Sequence, residues 1–74
     1  MNAREVNRRI ESLGGVAVSQ RGSHRKYRAS RTLPDNTVIT AQTVVAQHRG
    51  DIAIGTLRAM ERQMEPVFGK GWLL

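Results

Sequence analysis

The chain contains no cysteine, which excludes a disulfide framework and any thiolate metal site. Its 74 residues therefore form one domain near the size at which a single hydrophobic core begins to suffice. Carboxylates are scarce, with 6 Asp and Glu against 12 Lys and Arg, and two histidines set among so few acids do not make a metal cage. Long apolar runs are also missing, which argues against a membrane-spanning helix. The opening Met1-Asn2-Ala3-Arg4-Glu5 lacks the apolar core of a secretory signal. No repeat, low-complexity segment or interdomain linker interrupts the chain. These absences together lead us to expect a cytoplasmic protein with no membrane partner and no cofactor.

What the chain has in excess is positive charge. The net charge is +6, and ten of the twelve cations are arginine. The planar guanidinium suits bidentate phosphate contact better than the point charge of lysine, so the bias favours a nucleic acid or an acidic protein as partner. The charge is concentrated in Gln20-Arg21-Gly22-Ser23-His24-Arg25-Lys26-Tyr27-Arg28. Five Lys or Arg and no acid lie between Arg21 and Arg31. Within that block His24 is the side chain able to move protons near neutral pH.

The order of elements follows from periodicity. Asn2 and Glu5 have capping-box spacing, and Val6, Ile10 and Leu13 then predict a helix with one buried stripe, ended by Gly14-Gly15. Arg4, Arg8, Arg9 and Glu11 take its other sides, and the three arginines read as a solvated face in preference to an RNA-contacting one. Val16-Ala17-Val18 begins a strand, and Arg21-Gly22-Ser23 is a tight turn in which Ser23 serves the turn. A second strand over about His24 to Thr32 places His24, Lys26 and Arg28 on the solvent face, with Arg25, Tyr27 and Ala29 on the other. After a turn at Leu33-Pro34-Asp35-Asn36, Thr37 to Val45 forms the third strand of an antiparallel meander. Asp51 is the expected cap of a second helix with a core stripe of Ile54, Leu57, Met60 and Met64. Pro66 should stop that helix near Met64. The apolar extension 66–74 either covers an edge of the core, which we prefer, or binds a partner or a second copy.

This α-β-β-β-α order, an α+β fold with two helices on one face of a three-stranded sheet, is that of double-stranded-RNA-binding-like folds. Leu13-Gly14-Gly15 leading into Gly22-Ser23-His24-Arg25-Lys26-Tyr27 is one informative block. Val44-Val45-Ala46-Gln47-His48-Arg49-Gly50 leading into Gly55-Thr56-Leu57-Arg58 is the other. Over roughly residues 3 to 64 the chain resembles the HicA toxin family of bacterial toxin–antitoxin modules. It departs from the family's pattern where an aromatic residue often follows the first glycine, here Gly15 or Val16. It also has Ser19 where an arginine often stands.

The resemblance implies a metal-independent endoribonuclease that cleaves messenger RNA and is neutralised by an acidic HicB-like antitoxin. His24 matches the catalytic histidine of the family; His48 matches a histidine ending the third strand and is not carried over as catalytic. Arg21, Gly22, Ser23, Arg25, Lys26 and Arg28 are the expected RNA-binding residues around His24. Two further readings remain open at the level of sequence, a non-catalytic RNA-binding module and a basic protein-interaction subunit. An adjacent reading frame for a HicB-like protein would favour the toxin.

Overall fold

Two reciprocal hydrogen bonds start the first helix. In the computed structural model, which describes residues 1–74, Asn2 Oδ1 accepts from the Glu5 backbone N–H at 2.9 Å. Glu5 Oε1 in turn accepts from the Asn2 N–H at 3.2 Å. This capping box satisfies two otherwise orphaned donors and opens α1 (Ala3–Ser12). Ala3, Val6 and Ile10 form its buried stripe. Leu13 does not extend the stripe as expected: it is the C-cap, and with the helix ended it is 43% exposed. Gly14 follows at φ +98, a conformation that side chains disfavour and that turns the chain toward the sheet.

The sheet is an antiparallel meander of β1 (Val16–Arg21), β2 (His24–Thr32) and β3 (Val38–Ala46), in the order β1-β2-β3. The β2 to β3 register is continuous from His24↔Ala46 to Thr32↔Val38. Between β1 and β2 the register shifts at Ala17/Ser19, so Val18 is the extra residue of a bulge. Leu33 to Thr37 closes the second turn, where the Asn36 N–H donates to Leu33 O at 2.9 Å and the Thr37 N–H to Asp35 Oδ1 at 2.9 Å. That backbone donor holds the Asp35 carboxyl below its ordinary pKa.

Period-two alternation sends Tyr27 and Ala29 of β2, and Ala41, Thr43 and Val45 of β3, to the same face. They meet Val6 and Ile10 of α1 and Leu57, Met60 and Met64 of α2 (Ile54–Phe68) in one core. Hydrogen bonds tie each helix to that face: Tyr27 OH donates to Glu11 Oε2 at 2.6 Å, and Thr43 Oγ1 to Gln63 Oε1 at 2.6 Å. Both helices therefore cover one side of the sheet and leave the other open.

The second helix differs from expectation at both ends. Its N-cap is Ala53, without a side-chain cap bond, rather than Asp51. Asp51 is drawn away because its segment pairs with the N-terminus: Ile52 N–H donates to Met1 O at 2.8 Å, and the Met1 ammonium lies 3.8 Å from Asp51 Oδ1. Ile54, at the first helical position, is 56% exposed and lies outside the core stripe. At the other end α2 runs through Pro66 to Phe68 instead of stopping near Met64. Proline disfavours but does not forbid helix at the preceding residue, and three contacts outweigh the preference. Arg31 Nε donates to Pro66 O at 2.9 Å, Gly69 N–H donates to Glu65 O at 2.8 Å, and Phe68 packs edge-on against Trp72 at 5.1 Å.

The tail then folds back on α2. Trp72 Nε1 donates to Glu61 O at 2.9 Å, while the backbone N–H groups of Leu73 and Leu74 donate to Glu61 Oε2 at 3.1 and 2.7 Å. Trp72 and Leu73 are buried in the core, so these apolar residues cover it within the chain. No helix is long and apolar enough to cross a membrane.

Candidate functional site

The site begins with the shortest loop in the sheet. Gly22 and Ser23 alone connect β1 to β2, and Gly22 has φ +55, where a side chain would be strained. This turn makes His24 the first residue of β2 and puts it directly across from Arg21. Residues paired across a ladder point to the same side of a sheet. On the open side Arg21 therefore stands beside His24, Ser19 beside Lys26, and Val16 beside Arg28. From β3, Ala46, Val44 and Gln42 complete the rows.

Ser19, Arg21, His24, Lys26 and Val44 line a depression of about 570 Å³. His24 and Arg21 are exposed, Lys26 is half-buried, and Arg28 Nη2 donates to Gln42 Oε1 at 3.3 Å. The only salt bridge in the chain joins the N-terminal ammonium to Asp51, so no carboxylate neutralises these cations. The arrangement offers an exposed imidazole for proton transfer within a field suited to an anion.

Of the residues expected around His24, Arg21, Lys26 and Arg28 share its face, and Gly22 and Ser23 form its turn. Arg25 does not join them. Alternation sends it to the helix side, where Nε donates to Gln20 Oε1 at 2.8 Å and Nη1 lies 3.4 Å from Tyr27 OH. Burial first, and then the bond to Glu11, raise the Tyr27 phenol above its usual pKa of 10.0, so the hydroxyl remains a donor. Ser23 has a contact beyond its turn, since its Oγ lies 3.4 Å from His48 Nε2. Loop placement is fixed nearby by Gln47 N–H donating to Ser23 O at 2.7 Å.

A second group is not brought together by the sequence alone, in which Arg4 and Arg8 read as a solvated face and Arg25 and His48 are named separately. Arg4 and Arg8 of α1, with Arg25, His48 and Arg49, line a cleft on the helix side of the sheet. The i, i+4 spacing of Arg4 and Arg8 was the available signal, because it places both on one side of the helix.

A family model for the HicA toxin of bacterial toxin–antitoxin systems matches residues 3–65. The chain belongs to the HicA toxin family. The HicA match takes in α1, the whole sheet with the His24 turn, and α2 up to the residue before Pro66. Trp72 and Leu73, which complete the core, lie beyond it. No curated protein and no solved structure matches the chain. Membership in the HicA family makes the protein the toxin component of a toxin–antitoxin pair.

Proposed function

We propose that this HicA toxin is a ribonuclease that cleaves messenger RNA without a metal ion, using His24 as general base, and that an acidic HicB-like antitoxin holds it inactive. The observation that carries the reading is an exposed histidine, on the open face of the sheet, among cations without acidic partners. The neutral imidazole takes the proton of a ribose 2′-OH. The 2′-oxygen forms a bond to the adjacent phosphorus, the P–O5′ bond breaks, and the 5′-oxygen takes a proton from water. The products are a 2′,3′-cyclic phosphate and a 5′-hydroxyl end.

General base catalysis of this kind contributes about 10²–10⁴-fold, equivalent to about 2.8–5.6 kcal/mol of barrier at about 1.4 kcal/mol per tenfold. Arg21, Lys26 and Arg28 supply the electrostatic part, because charge accumulates on the phosphoryl oxygens as the 2′-oxygen adds. The antitoxin acts by covering this face. Opposite charge speeds its association, and occupancy excludes RNA.

The test is incubation of the purified toxin with a defined RNA in excess chelator, followed by analysis of the new ends. Cyclic phosphate termini are expected. RNA that is bound but never cut would make the protein a non-catalytic binding module. In the complex with antitoxin, hydrogen exchange should be slowed over residues 22–28; an unprotected turn in an inactive complex would rule out inhibition by occupancy.

A further inference from the structure

The cleft on the helix side lies on the opposite face of the sheet from His24 and is not used by the chemistry proposed above. It has a volume of about 510 Å³, and four guanidinium-bearing residues contribute to its lining: Arg4, Arg8, Arg25 and Arg49. None of the four forms a salt bridge. The single acid in the lining is Glu11, whose Oε2 is engaged by Tyr27 OH at 2.6 Å. Like charges one helical turn apart repel, so the placement of Arg4 and Arg8 is a cost to α1 that an anion would relieve.

The walls of the cleft are ordered by bonds within the chain. Asn7 Nδ2 donates to Gln47 Oε1 at 2.7 Å, and Gln47 Nε2 returns a bond to Asn7 Oδ1 at 3.1 Å and another to Val45 O at 3.1 Å. This clamp joins α1 to the end of β3. Arg25 is held from below by Gln20 and Tyr27. Arg4, Arg8 and Arg49, by contrast, are exposed and have no side-chain hydrogen bond to any other residue. Several free planar forks beside a hydrogen-bonded framework are suited to phosphate oxygens, which guanidinium groups bind in bidentate fashion.

The cleft also connects to the His24 face. His48 is part of its lining and lies 3.4 Å from Ser23 Oγ, and Ser23 directly precedes His24. We infer that the cleft is a second phosphate-binding subsite, which holds the backbone of the same RNA strand after it passes over the Gly22-Ser23 turn from the His24 face. The inference rests on the ribonuclease reading for what lies at His24. It gives the substrate a minimum length: an RNA confined to the His24 face leaves the cleft empty, and a longer strand fills both.

The test compares the toxin with an Arg4→Gln/Arg8→Gln variant. Both positions are exposed, and thermal unfolding checks that the fold is retained. Binding is measured on two non-cleavable 2′-O-methyl RNAs of about 4 and about 16 nucleotides, the limits of site size seen for compact single-strand binders. Each lost phosphate contact lowers the slope of log K against log salt by about 0.7 on single strands. The variant should therefore lose about 1.4 from the slope on the long RNA and nothing on the short one. An unchanged slope on the long RNA overturns the subsite. Equal losses on both RNAs also overturn it, because the arginines would then act at the His24 face. Loss of antitoxin affinity with RNA binding intact would assign the cleft to an acidic protein and likewise refute the proposal. Cleavage by the unmodified toxin in chelator reads the ribonuclease assignment separately, so failure of one is distinguishable from failure of the other.

Discussion

Replacing Tyr27 with Phe removes one oxygen from the contact between β2 and α1 and keeps the ring. Tyr27 is the only tyrosine, is fully buried, and donates to Glu11 Oε2 at 2.6 Å. A hydrogen bond to a charged group is worth about 1.5–3 kcal/mol. Glu11 is exposed, so water can resolvate its carboxylate in the variant, and the loss should lie near the lower limit, about 1.5 kcal/mol. For a domain of this size that corresponds to a fall in Tm of about 6–12 °C, at about 4–8 °C per kcal/mol. Because burial and Glu11 raise the phenol pKa above 10.0 in the folded state, the stability it contributes is complete below the unfolded pKa and is lost as pH rises through the folded value. The gap between wild type and Tyr27→Phe should therefore narrow above about pH 10. Circular dichroism melts at neutral and alkaline pH measure the gap, and phenolate absorbance follows the single tyrosine directly. A double-mutant cycle with Glu11→Gln isolates the pair. An unchanged Tm at neutral pH, or a gap that does not vary with pH, would refute the role assigned to this hydrogen bond.

Trp72→Ala removes a buried indole and its bond to Glu61 O, and should destabilise the fold by about 3–5 kcal/mol in urea titrations. A loss under about 0.5 kcal/mol, the level of an ordinary surface change, would mean that the tail does not complete the core. Pro66→Ala restores a backbone donor in the last turn of α2 and should stabilise by about 1 kcal/mol, less than the about 3 kcal/mol typical of mid-helix proline. A destabilised variant would show that the ring is needed where it is. Charge reversal at Lys26 and Arg28 together should weaken RNA binding across sequences and flatten its salt dependence. Binding that is unchanged and salt-insensitive would remove the open face from RNA recognition.

Local chemistry was readable from the sequence wherever one element supplied all the information. The Asn2–Glu5 box and the His24–Thr32 strand follow from spacing within a few residues, and alternation alone separates Arg25 from His24. Readings that depended on contacts between distant segments went differently. Asp51 has the side chain of a helix cap, but it is engaged by Met1, far away in sequence. Pro66 has the character of a helix stop, but Arg31 and Trp72 hold the last turn together around it. Leu13 and Ile54 fit an apolar period, yet each sits at a helix end where the core is no longer underneath. The arginine cleft has the same origin: Arg4 and Arg8 resemble a solvated face until the Asn7–Gln47 clamp brings them to Arg25 and Arg49.

His24→Ala tests the assignment of the site most directly. The side chain is exposed, so its removal leaves no core cavity, and stability should change by no more than about 0.5 kcal/mol. Transcript cleavage should nevertheless fall by about 10²–10⁴-fold, the contribution of a general base. Wild type and variant are compared at matched soluble levels for cleavage of defined RNA and for growth on induction, with circular dichroism reporting the fold. The expected result is a folded variant that binds RNA and antitoxin, leaves transcripts intact and permits growth. A folded variant that still cleaves RNA and arrests growth would contradict the assignment of His24 as the catalytic base.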